Sequence, residues 1–104
     1  MYKTLLVVWL SLFIPTIAHA VTLTWQDNST GELGFKIERA PTSSGTFAQI
    51  GQVGIGVTTY VDAAGVSGNC YRVLAYNQGG NSPYSNVACV VALPIAPTGL
   101  TLGP

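Results

Sequence analysis

Cys70-Tyr71-Arg72-Val73-Leu74-Ala75-Tyr76-Asn77, Gln78-Gly79-Gly80-Asn81-Ser82-Pro83 and Tyr84-Ser85-Asn86-Val87-Ala88-Cys89-Val90-Val91 run consecutively through the C-terminal half of the chain. Two β-prone runs flank a cluster of Gly, Asn, Ser and Pro, which predicts a hairpin with a longer loop. Pairing Cys70 with Cys89 sets Tyr71 opposite Ala88 and Val73 opposite Asn86. Directly opposed Cβ atoms lie about 4.5–5.5 Å apart, near enough for a disulfide after a small adjustment. The stretch therefore reads as a hairpin closed by one Cys70–Cys89 bond.

Upstream, residues 1–20 carry the marks of a secretory leader rather than of fold. Lys3 gives a positive start, Leu5 to Ile14 an apolar run, Pro15 a break, and Ala18-His19-Ala20 a small-residue cleavage site. The apolar run falls short of the roughly 20 residues that cross a bilayer, so no membrane insertion is expected after cleavage. Residues 21–92 suffice for one small domain, and 93–104 form a Pro-rich tail. The expected location is outside the cytoplasm: secreted, periplasmic or at a bacterial cell surface.

Charge narrows the partners. Beyond residue 20, Lys36, Arg39 and Arg72 stand against Asp27, Glu32, Glu38 and Asp62, three against four, leaving −1. Nucleic acid and anionic membrane both require a basic face, so neither is an expected partner. The single histidine, His19, lies in the leader. Two cysteines in an exported chain imply a bridge rather than a redox or metal pair, and no cofactor or metal is expected. No P-loop, G-x-S-x-G or H-E-x-x-H pattern occurs, and the four carboxylates do not cluster in sequence, so no catalytic activity is expected.

Outside the leader the hydrophobic period is two, not 3.6. Val21, Leu23 and Trp25 alternate with Thr22 and Thr24; Phe35 and Ile37 alternate with Lys36 and Glu38. Phe47 to Val53 and Val57 to Asp62 give two further short runs, separated by Gly51, Gly54 and Gly56. The candidate core is Leu23, Trp25, Phe35, Ile37, Phe47, Ile50, Tyr60, Tyr71 and Val73. Arg72 and Glu38 fall on neighbouring outward faces, where they are placed to pair. Short strands recurring about every 10 residues predict an all-β sandwich.

Leu23-Thr24-Trp25, Gly34-Phe35-Lys36-Ile37-Glu38-Arg39, Thr59-Tyr60-Val61-Asp62, Tyr71 to Asn77 and Gly80-Asn81-Ser82-Pro83-Tyr84-Ser85-Asn86 follow one another in an order and spacing that resembles a fibronectin type III domain of the bacterial kind, over about residues 21–92. The resemblance implies a Greek-key immunoglobulin-like sandwich with strands B-C-C′-E-F-G, the hairpin being F–G. It also implies three departures. The family's corner tyrosine, two residues before Tyr71, is Asn69 here, a loss that the disulfide would offset. Strand A is missing, which leaves the edge of strand B bare. Finally, Pro94-Ile95-Ala96-Pro97 followed by Thr98-Gly99-Leu100-Thr101-Leu102 resembles a linker and an opening strand A placed at the wrong end.

Function at this stage is a non-catalytic structural or interaction module, in contact with another protein or a glycan. Tyr76, Asn77, Gln78, Gly79, Gly80, Asn81 and Tyr84 are the candidate ligand loop, offering amides beside an aromatic surface. One alternative is a subunit that assembles with itself, donating Thr98–Leu102 head to tail. The other is an accessory module of a secreted polysaccharide-active system.

Overall fold

A computed structural model describes residues 20–91 and 94–104; the leader expected over residues 1–20 falls, apart from Ala20, outside the described residues. Seven strands form: β1 (Val21–Thr24), β2 (Gly34–Ala40), β3 (Ala48–Gly54), β4 (Thr59–Asp62), β5 (Cys70–Asn77), β6 (Gly80–Asn81) and β7 (Ala88–Cys89). They make two antiparallel sheets. β1 pairs with β4, while the larger sheet runs β3-β2-β5, with β6 and β7 both on the far edge of β5. The result is an all-β, immunoglobulin-like sandwich.

Alternation explains the core. Ile37 is fully shielded at 0% exposure and clusters with Phe35 and Val73; Leu23, Trp25, Ile50, Val53, Tyr60 and Ala75 pack against them. Trp25 meets Phe35 edge-on, with ring centroids 5.6 Å apart, a geometry favoured by the ring quadrupoles. Phe47 is a correction. It lies half-buried just before β3, outside this cluster, because its ring stacks 4.1 Å from the Arg72 guanidinium on the outer face.

Gly51 sits within β3, opposite Ile37, rather than in a simple strand connection. The Tyr60 ring lies over it and donates its hydroxyl to the Ile50 carbonyl at 3.1 Å; a Cβ on Gly51 would stand 2.5 Å from that ring. Gly51→Ala is therefore expected to displace Tyr60 and cost about 1–3 kcal/mol, seen as a lowered urea midpoint with unchanged slope.

The hairpin forms with Cys70 opposite Cys89 and Tyr71 opposite Ala88, and the two cysteines are joined. The register expected further along does not persist. Tyr76 pairs with Asn81 and Asn77 with Gly80, so residues 82–87 carry two more residues than the β5 segment they face, and Val73 has no ladder partner in Asn86. Two serines bridge the irregular stretch. Ser82 and Ser85 each donate their N–H to β5, to the carbonyls of Ala75 and Val73 at 2.8 Å. Their hydroxyls accept from the N–H groups of the same two residues at 2.9 Å. Side-chain oxygens thus stand in for strand carbonyls where the backbone cannot follow the ladder.

Candidate functional site

The F–G loop residues engage one another and their own strands. Asn77 Oδ1 accepts from the Gly79 N–H at 2.7 Å, and Asn77 Nδ2 donates to the Gly31 carbonyl at 3.4 Å. Asn81 accepts from Lys36 Nζ at 3.1 Å, the same ammonium lying 5.0 Å from the Tyr76 ring centroid. The Tyr76 hydroxyl accepts from Gln52 at 2.6 Å. Tyr84 belongs to a separate cluster, its ring 3.6 Å from Arg72, which is held from the other side by Phe47 and bonded through Nε to Glu38 at 2.7 Å. Of the seven loop residues, Tyr76 is half-buried, while Asn77, Gln78, Gly79, Gly80, Asn81 and Tyr84 are exposed. Asn77 thus completes the turn and Asn81 holds Lys36, while Gln78 stands exposed.

At the other pole, the chain ties its corner with groups that sequence reasoning assigned elsewhere. Asp62, at the end of β4, is buried. Its Oδ2 accepts from the Tyr71 hydroxyl at 2.7 Å and from Arg39 at 2.7 Å; Oδ1 accepts from the Ala64 N–H at 3.2 Å. Burial by itself pushes this carboxyl up, but the bonds from Tyr71 and Arg39, with the Ala64 amide and the Arg39 charge, hold it below its ordinary value. Burial and the Asp62 carboxylate raise the Tyr71 phenol well above its usual range. Asn69 is buried too, its Oδ1 accepting from the Val66 N–H at 3.0 Å. The corner expected to lack its tie thus has two, Asn69 to Val66 and Tyr71 to Asp62. Inward alternation of Tyr71 and the strand-end position of Asp62 were the available signals. The carboxylate is spent on structure. Among the described residues, no three His, Cys, Asp or Glu side chains gather as a metal site.

The remaining feature is an edge. Among the described residues, only β4 pairs with β1. The Trp25 N–H donates to the Thr58 carbonyl on the β4 side at 3.1 Å. Antiparallel alternation then turns the backbone groups of Thr24 and Thr22 to the opposite, open side. Below that edge the sandwich is not closed. A groove of ≈ 560 Å³ runs between β1 and the β5–β7 flank, lined by Leu23, Trp25, Tyr71, Val73, Ser85 and Ala88 among others. A second hollow of ≈ 340 Å³ continues it past Trp25 toward Pro83 and Tyr84. The Trp25 indole N–H is buried with no acceptor among the described residues. Thr98–Leu102 form no strand, and Leu100 and Leu102 are 94% and 95% exposed.

A strand edge without a partner among the described residues is a structural feature, and the comparisons with known proteins bear on the framework that carries it. The twitchin kinase region from C. elegans, described as Fn31-NL-kin-CRD-Ig26, superposes with a TM-score of 0.54 at 20% identity over 72% of this chain. That likeness shows the fold. This chain spans 14% of that protein, so nothing of the kinase region's activity transfers with it. No family model matches the chain, and no curated protein matches it.

Proposed function

We propose that this chain is an exported, non-catalytic module of the bacterial fibronectin type III kind, which makes contact with another protein at or beyond the cell surface by accepting an extended segment along the open edge of β1. The observation that carries the reading is the unpaired β1 edge above the groove lined by Leu23, Trp25 and Val73. Such an edge offers N–H and C=O groups at strand spacing, while the groove offers apolar pockets for alternate side chains, the combination used in β-augmentation. The Cys70–Cys89 bridge is consistent with an oxidising compartment. No helix among the described residues is long and apolar enough to cross a membrane. A glycan partner has less support, because Asn77, Asn81 and Tyr76 are already hydrogen-bonded within the domain.

The test is chemical-shift mapping of the isotope-labelled, oxidised protein against a panel of extended peptides with alternating apolar residues and a panel of oligosaccharides. Peptide-induced shifts confined to residues 21–25, 71–73 and 85–88 support the reading. Shifts in residues 76–81 with an oligosaccharide, and none with any peptide, overturn it in favour of an accessory carbohydrate module.

A further inference from the structure

Resting on that reading of the β1 edge, we infer that its occupant is the segment Thr98-Gly99-Leu100-Thr101-Leu102 of a second copy of this chain, so that copies associate head to tail by strand donation. The two partners share a period-two pattern. β1 and its continuation place Leu23 and Trp25 over the groove and Thr22 and Thr24 outward. The tail alternates in the same way, Leu100 and Leu102 against Thr101, and residues 94–104 carry no charge. Docked on the edge, Leu100 and Leu102 enter the groove with Thr98, which shares their face, and Thr101 stands outward beside Thr22 and Thr24, a favoured pairing on an exposed face. Five residues of strand span about 16 Å, enough to cover β1. The incoming backbone also brings carbonyls to a seam that holds the unpaired Trp25 indole N–H.

Direction favours a second copy over the chain's own domain. Val21 pairs with Asp62 at the end of β4, and Cys89 pairs with Cys70 just after the following corner. β7 therefore runs out at the pole where β1 begins. Every pairing among the described residues is antiparallel, and a strand that joins β1 in the same sense must enter from the opposite pole. Beyond Val90, the last residue bonded to the corner, seven residues, 91–97, reach about 23 Å at full extension, and two of them are prolines. They would have to run back the length of β1 while crossing sheets about 10 Å apart, which consumes all of that reach. A neighbouring molecule's tail arrives at the far pole directly. Ile95, Leu100 and Leu102 each stay at least 94% exposed in the single chain, as a donor awaiting its acceptor requires. The contact joins two different surfaces, so it repeats into open oligomers.

The experiment is analytical ultracentrifugation of the oxidised chain across a concentration series, beside a Leu100→Asp/Leu102→Asp double variant, with a synthetic peptide of residues 94–104 added to each. The substitutions lie in the exposed tail and leave the folded body intact. Expected are a mass that climbs with concentration for the unaltered chain, an association constant at least about a hundredfold weaker for the variant, the scale of two leucines left in water, and one-to-one capture of the peptide by the variant. A double variant that assembles as well as the unaltered chain overturns the inference. A monomeric unaltered chain whose variant still captures the peptide overturns the second-copy occupant and leaves the edge reading standing. Monomers throughout with no peptide capture overturn the inference, and shifts at β1 with the unrelated peptide panel then decide the edge reading separately.

Discussion

Reduction of the Cys70–Cys89 bridge is expected to lower the melting temperature by about 12–24 °C. Closing a loop across 19 residues of sequence separation removes about 3 kcal/mol of chain entropy from the unfolded state, and 1 kcal/mol shifts a domain of this size by about 4–8 °C. The local structure explains why little else compensates. β7 is two residues long, and between it and β6 the chain is attached to β5 through the Ser82 and Ser85 hydroxyls and N–H groups rather than a continuous ladder. The bridge fixes the end of that edge. Cys70→Ser should reproduce the reduced melt and abolish any further response to reductant. An unchanged melt for the unaltered chain after complete reduction, verified by thiol counting, would sink this account of the edge.

Asp62→Ala should cost about 2–3 kcal/mol. Breaking a buried ion pair costs about 3–5 kcal/mol, and the lower figure applies because the Arg39 side chain is 30% exposed and can turn to water. Tyr71 has no such escape: it is buried, and its hydroxyl loses an ionised acceptor. The same contacts give a pH dependence of definite sign. The folded-state carboxyl titrates below the unfolded value of about 3.9. On acidification the unfolded chain therefore takes up its proton first. The stabilisation is fully present above about pH 4 and is lost as pH falls through the folded-state value. Urea midpoints at pH 7, 5 and 3 should show a shallower acid loss for Asp62→Ala than for the unaltered chain. A double-mutant cycle with Tyr71→Phe should give a coupling of about 1 kcal/mol or more; parallel acid profiles and strict additivity would contradict the buried tie.

These results also mark what was readable in advance. Period-two alternation located β1 and β2 and much of the core, because a strand with one buried face writes that face directly into its sequence, and β5 followed from a β-prone run beside turn residues. Phe47 was misplaced because hydrophobicity does not distinguish a ring against the core from a ring stacked on an arginine. The cysteine end of the hairpin followed from the register of its opposed residues, but the slip over residues 82–87 did not. It depends on serine hydroxyls replacing backbone acceptors, and that choice leaves no periodic trace. The Asp62–Arg39–Tyr71 tie joins three strands at separations of 23 and 9 residues with no fixed period, so spacing alone could not assemble it. In the candidate loop, Tyr76, Asn77 and Asn81 have partners within the domain that residue type alone does not reveal.

Among the described residues the β1 edge has no partner on its outer side, and amide hydrogen exchange at Thr22 and Thr24 tests it most directly. With the oxidised chain followed from dilute to millimolar concentration, these two amides should be weakly protected in dilute solution. They should gain protection as concentration rises, in step with burial of Leu100 and Leu102. Fast exchange at both positions over the whole range, while the β4-bonded amide of Trp25 stays protected throughout, would contradict the account.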